Sequence, residues 1–164
     1  MIRRLSAATL VLALLVPGAL QAQKSGSGEG RYANFITDAE EMEMPGGGTM
    51  ALLHYHQMVF ATQGSSPADG LPTECVGQFV SGADGKTTAA NGTCFADDGA
   101  GNGLSYWFRM DAAGTADCPD MCGTFAYFAG YGKFAGITGD GTWRRAVTTP
   151  TSGHGTWKAS YAVK

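Results

Sequence analysis

Two histidines separated by one residue, His54 and His56, are the first candidates for chemistry in this sequence. In an extended strand alternate side chains share a face, so both imidazoles would be available to one metal ion. Imidazole is a common ligand of copper and zinc, and thioethers favour Cu(I). Methionines lie nearby at four positions, Met42, Met44, Met50 and Met58. A tight site needs more ligands than this pair supplies, so copper or zinc binding is a minor hypothesis and no cofactor is predicted.

The same strand face carries further apolar side chains that would suit a small organic ligand. Met58 and Phe60 continue the alternation that begins at His54. A small closed β-barrel has an interior that is filled by side chains or holds one small molecule. We therefore expect a small hydrophobic or aromatic molecule to bind at His54, His56, Met58, Phe60, Tyr106, Phe108 and Trp157. The alternative is a structural barrel whose interior these side chains fill.

Catalytic residues are not assigned by the sequence. It shows no Ser-His-Asp order, no nucleophile elbow and no paired-carboxylate motif. A cyclase or isomerase that acts through the shape of its pocket would leave no motif, so that activity stays open as an alternative. Non-catalytic binding or a structural role is the preferred hypothesis, with periplasmic copper or zinc binding through the two histidines as the third.

The start of the chain indicates export from the cytoplasm. Arg3 and Arg4 precede an apolar run at residues 10–16, and Ala22 offers a small residue at a cleavage position. The apolar run is too short for a membrane-spanning helix, which needs about 20 residues. We expect a signal peptide at residues 1–22, a flexible leader at 23–30 and a single periplasmic or secreted barrel domain at 31–164.

The charge of the chain argues against nucleic acid and anionic membranes as partners. Of 11 basic residues, Arg3 and Arg4 lie in the expected signal peptide, which leaves 9 against 14 acidic residues. Binding to nucleic acid requires clustered Lys and Arg. Arg144-Arg145 is the only basic pair after the export segment. A small apolar ligand is therefore the expected partner, with no membrane span.

Glycine and short alternating segments predict the fold that must position these side chains. The chain has 25 glycines in 164 residues, a density that disfavours helices and suits short strands joined by tight turns. The expected strands are residues 32–44, 50–62, 75–83, 86–96, 104–111, 124–129, 142–149 and 156–163. This regular spacing predicts an all-β domain, a single small antiparallel barrel of about eight strands with a calycin-like architecture.

The cysteines predict two disulfide bonds. Asp84-Gly85 is a strong two-residue hairpin signal. With those residues as the turn, the numbers of paired residues sum to 169, which places Cys75 opposite Cys94. Strict counting puts the two cysteines at a hydrogen-bonded pair, so a bulge is expected to adjust the register. Cys118 and Cys122 then pair with each other, since export favours disulfides over thiols.

The segment GYGKFAGITGDGTW at residues 130–143 resembles the G-G-T-G-K-F-x-G-I-x-G-x-G stretch of small secreted bacterial proteins with an allene-oxide-cyclase-like, or dirigent-like, β-barrel. Cys75, the Asp84-Gly85 turn, Gly92-Thr93-Cys94 and Asp97-Asp98-Gly99 are similar to the same group. The resemblance implies an eight-stranded antiparallel barrel and a possible homo-oligomer. Activity does not follow, because a barrel of one family can host unrelated functions.

Overall fold

The computed structural model describes residues 24–164, which form a closed antiparallel barrel of eight strands in sequential order. The strands are β1 (Lys24–Glu43), β2 (Thr49–Gly64), β3 (Pro72–Ser81), β4 (Thr87–Asp97), β5 (Gly103–Thr115), β6 (Cys118–Tyr131), β7 (Thr138–Thr149) and β8 (Ser152–Val163). A short 3₁₀ turn, Gly132–Phe134, precedes β7. The predicted fold class is confirmed, and each of the eight expected segments overlaps one strand. The expected signal peptide, residues 1–22, lies outside the described residues.

The start of β1 corrects the expected flexible leader. Residues 24–30 belong to β1, and they pair with β8 from Lys24 opposite Val163 to Gly30 opposite Trp157. Their Gly- and Ser-rich composition is typical of a linker. In a closed barrel, however, the free edge of β8 must form hydrogen bonds with another strand, and residues 24–30 of β1 provide that strand. Within residues 24–164, no helix is long and apolar enough to cross a membrane.

One end of the barrel is sealed by the connections between strands. The β2–β3, β4–β5 and β6–β7 connections lie at this end, because all neighbouring strands are antiparallel. Phe134 and Ile137 from the β6–β7 connection are buried, as are Ala68 from the β2–β3 connection and Leu104 at the start of β5. Gly70 N donates to Val59 O at 2.9 Å and ties the β2–β3 connection to β2. The opposite end carries the four hairpin turns.

Inward aromatic rings lie over glycines of the neighbouring strand, which explains much of the glycine content. Each ring is directly opposite its glycine in the strand register. The pairs are Tyr32 with Gly155, Trp157 with Gly30, Phe108 with Gly92, Phe125 with Gly141 and Trp143 with Gly123. A Cβ added at any of these glycines would lie between 2.5 and 2.9 Å from the ring. The rings therefore lie against the barrel wall.

The first disulfide, Cys75–Cys94, forms as predicted but through a different turn. The loop is the three residues 83–85: Gly85 N donates to Gly82 O at 2.9 Å, and Gly85 alone has a positive φ, of 76°. This is a type I turn followed by a left-handed glycine. A bulge at Thr88 then restores the pairing that sums to 169. The Cα atoms of the two cysteines are 4.1 Å apart, close to the separation of a non-hydrogen-bonded pair.

The second predicted disulfide, Cys118–Cys122, is also present, at the start of β6. No free cysteine remains in the described part of the chain. Two disulfides are consistent with an oxidising extracellular location, because reduced thiols are the rule in the cytosol.

Candidate functional site

The barrel interior contains a cavity. The centre of a water molecule can occupy about 70 Å³ of it. A single buried water needs roughly 10–15 Å³ by this measure, so the cavity has room for several waters or a small ring. Ala68 lines it near the sealed end. Ile36, Leu53 and Phe79 line it toward the hairpin end and are only partly buried, so the cavity opens there.

Aromatic rings form most of the cavity wall and contact one another edge-on. The Tyr106 ring centroid is 5.8 Å from that of Phe125 and 6.0 Å from that of Tyr127. Phe108 lies at 6.3 Å from both Tyr55 and Trp143. Edge-to-face contacts at these separations are favourable. The packed wall therefore holds its shape around the cavity, as a preformed ligand site requires.

Four tyrosine hydroxyls make the cavity polar without making it charged. Burial raises the pKa of Tyr55, Tyr106 and Tyr127 well above the usual value. Burial does the same for the pKa of Tyr32, with partial opposition from the Arg145 charge. The Tyr32 hydroxyl donates to Arg144 O at 3.1 Å, and the Tyr106 hydroxyl accepts from the Gln57 amide at 2.9 Å. These phenols therefore stay neutral over the physiological pH range.

Three buried polar atoms on the cavity wall have no hydrogen-bond partner within residues 24–164: Asn34 Oδ1, Arg145 Nε and Trp157 Nε1. They come from three adjacent strands, β1, β7 and β8. Asn34 is opposite Gly153 on β8, and Arg145 is opposite Gly155 on the same strand. Asn34 and Arg145 therefore lie near each other across β8, and Trp157 lies farther along that strand, opposite Gly30 and Trp143.

The structure brings three of the seven predicted ligand-binding residues to the cavity. Tyr106, Phe108 and Trp157 line it. The expected interior placement of the other four is wrong, because β2 turns its other face inward through Tyr55, Gln57 and Val59. His54, His56, Met58 and Phe60 consequently lie on the outer wall, where Phe60 is 49 % exposed.

The histidine pair belongs to an outer surface groove that also includes Glu74. The His56 ring stacks on Phe35 with 5.4 Å between centroids. His56 is opposite Glu74 in the β2–β3 register, and His54 is opposite Val76. No cluster of three or more His, Cys, Asp or Glu side chains suited to a metal ion occurs in the described chain. The geometry thus adds no third ligand to the pair.

Sequence reasoning missed the polar residues of the cavity, above all Arg145. Its signal lies in β7, where Gly141, Trp143 and Arg145 alternate on one face. Once Trp143 is assigned to the interior, the period of two places Arg145 there as well. Asn34 and Gln57 carry no such signal, because isolated amides in strands are more often exposed.

Comparison with solved structures identifies the type of barrel. A pterocarpan synthase dirigent protein superposes with a TM-score of 0.51 and 14 % sequence identity, over 86 % of this chain and 91 % of that one. A second pterocarpan synthase dirigent protein gives a TM-score of 0.47 and 14 % identity, over 85 % of this chain and 95 % of that one. Neither the protein-family models nor the curated proteins contain a match for this sequence. At this level of identity the first likeness shows a shared fold, that of the dirigent-type barrel.

Proposed function

We propose that the protein binds a small aromatic molecule bearing oxygen substituents inside the barrel. The observation that carries the proposal is the cavity itself, since its wall combines aromatic rings in edge-to-face contact with a few polar groups. That mixture is typical of small-molecule sites, where apolar walls provide affinity and a few polar atoms fix orientation. The neutral hydroxyls of Tyr55 and Tyr106 suit phenolic or carbonyl oxygens as hydrogen-bond partners.

Binding would take place outside the cytoplasm. An export segment at residues 1–22 and the two disulfides support a periplasmic or secreted protein. The resemblance of residues 130–143 to secreted dirigent-like proteins and the dirigent-type fold support placing the chain in that group.

A second candidate is a cyclase or isomerase that uses the same cavity. The fold neighbour is described as a pterocarpan synthase, which favours this alternative. The buried phenols of Tyr55 and Tyr106 would hydrogen-bond an oxygen of the bound molecule while it rearranges. Mass spectrometry and chromatography of the compound released after incubation distinguish the two, because a binder returns its ligand unchanged.

Binding inside the barrel is tested with 4-hydroxybenzamide, a small neutral phenol, on the oxidised protein. The Trp157 indole N–H resonance is followed by NMR during the titration, because Trp157 lines the cavity. We expect saturable shifts in the native protein and in Val76→Phe, which changes the outer wall. Val59→Phe places a ring in the cavity and should abolish them. Absence of saturable shifts in the native protein, or unchanged binding in a folded Val59→Phe variant, contradicts the proposal.

A further inference from the structure

Arg145 places a positive charge at the cavity without a negative partner. Its side chain is partly buried, and its Nε atom is fully buried with no hydrogen-bond acceptor among the described residues. The ion pairs of residues 24–164 are Lys86–Asp84, Arg109–Asp111, Lys133–Asp98 and Lys158–Glu29. None of them involves Arg145. An unpaired guanidinium group that is partly removed from water is unfavourable, so an acceptor is expected to meet it.

Among the described residues, no negatively charged hydrogen-bond acceptor lines the cavity. Its lining side chains include neither Asp nor Glu, and Arg145 is the one charged residue among them. The Tyr106 hydroxyl is already bonded to Gln57, and the Tyr32 hydroxyl is bonded to the backbone of Arg144. Arg145 therefore supplies a charge at the cavity that a bound anion would balance.

Gly153 provides the space in which the guanidinium group lies. A Cβ added at Gly153 would be 2.7 Å from Arg145 Nε and 3.1 Å from Nη2. The guanidinium group thus lies across β8 at the glycine that is opposite Asn34. Trp157 follows on the inward face of β8 and contributes a second buried N–H donor without a partner. Trp157 lies four residues beyond Gly153, opposite Gly30 and Trp143, so its donor reaches the cavity closer to the sealed end.

We propose that Arg145, as the charged donor, binds the carboxylate of a small aromatic acid inside the barrel. The inference rests on the proposed function and adds the chemical class of the ligand. A guanidinium group matches a carboxylate with two parallel hydrogen bonds, which a neutral amide or hydroxyl does not reproduce. The aromatic part of the acid lies against the rings of Phe108 and Phe125.

The test compares 4-hydroxybenzoate with 4-hydroxybenzamide, which differ in charge and little in shape. Dissociation constants come from NMR titration of the oxidised protein at neutral pH and low salt. We expect the acid to bind at least about tenfold more tightly than the amide. Arg145→Met should remove this preference while affinity for the amide persists. Arg144→Met is the matched control, because it removes the same charge from an exposed side chain, and the preference should survive.

The outcomes separate the inference from the proposed function. Equal affinities for acid and amide in the native protein overturn the carboxylate site and leave the binding function intact. In that case the polar groups around Arg145 bind water only. A preference that survives Arg145→Met or disappears in Arg144→Met also overturns it. Absence of binding by both compounds overturns the inference together with the proposed function. The comparison of the two ligands uses the native protein, so it does not depend on the folding of a variant.

Discussion

The inner and outer walls of this barrel are both rich in aromatic side chains, yet five of the inward rings lie opposite a glycine and most of the outward rings do not. On β6, Phe125 faces inward and is 8 % exposed, whereas Phe128 faces outward and is 55 % exposed. Phe125 is opposite Gly141, whose missing side chain makes room for the ring. On the outer wall, Phe60 of β2 is opposite Arg31, and Phe95 of β4 is opposite Glu74.

The difference shows that apolar character alone does not mark the inside of a small barrel. A barrel of eight strands is narrow, and rings that met at its centre would fill it. Glycines opposite the inward rings let those rings lie against the wall. On the inner wall this pairing leaves room for the cavity; on the outer wall it occurs at Tyr131, which lies opposite Gly103.

The largest expected effect is a loss of folding stability at alkaline pH, which depends on the buried tyrosines of the inner wall. Burial raises the pKa of Tyr32, Tyr55, Tyr106 and Tyr127 above the value near 10 expected in the unfolded chain. Below pH 10 these phenols are neutral in both states. Above it the unfolded state loses protons first, so the free energy of unfolding should fall by up to about 5 kcal/mol per pH unit.

The measurement is a pH titration followed by circular dichroism and by the absorbance of tyrosinate. We expect the buried tyrosines to ionise in the same cooperative step as unfolding. Tyr55→Phe should reduce the steepness of that step by about one quarter, because one of four linked groups is removed. Ionisation of all tyrosines before any loss of structure would show that the inner phenols are accessible to solvent.

Replacing one ring on each wall gives the next largest effect. Phe125→Ala removes a buried ring and should lower the free energy of unfolding by about 3–5 kcal/mol. Phe128→Ala on the same strand should change it by less than about 0.5 kcal/mol, because that ring is mostly exposed. Denaturant unfolding of the two oxidised variants measures both values. Equal losses would mean that the outer ring is also covered in solution.

Most of the fold could be predicted because local signals agree with each other. Glycine-containing connections follow five of the eight strands, and cysteine spacing fixes the β3–β4 register. The prediction of a two-residue turn at Asp84-Gly85 was wrong, but the predicted register is correct. The extra residue in the three-residue loop is offset by the bulge at Thr88. A strained left-handed conformation at Asp84 is thereby avoided, since no residue other than glycine has a positive φ in the described chain.

The site was only partly predictable, because β2 is apolar on both faces. Leu52, Met58 and Phe60 alternate with Leu53, Tyr55 and Val59, so periodicity gives no preference for either face. A shift of one residue exchanges the two faces completely. Strand β5 lacks this ambiguity, since Ser105 and Arg109 mark its outer face, and its inward residues Tyr106 and Phe108 were predicted correctly.

The smallest effect is expected from replacing a glycine by alanine, either beneath an inward ring or in a turn where no ring lies over it. This pair of changes tests directly whether the ring-over-glycine pairs matter. A Cβ at Gly141 would lie 2.6 Å from the Phe125 ring and 2.3 Å from Lys158 O. Gly141→Ala should therefore destabilise the barrel by about 1–3 kcal/mol through overpacking. At Gly82, in the β3–β4 turn, a Cβ would lie 3.1 Å from Asp84 Oδ1 and 3.8 Å from Thr88 Cγ2, both on exposed side chains, so Gly82→Ala should be neutral or slightly stabilising. Denaturant midpoints give both values, and the Gly141→Ala change should also shift the Trp157 indole resonance, because Phe125 and Trp157 line the same cavity. If the two variants were equally stable, the ring-over-glycine pairs would not be what holds the cavity open.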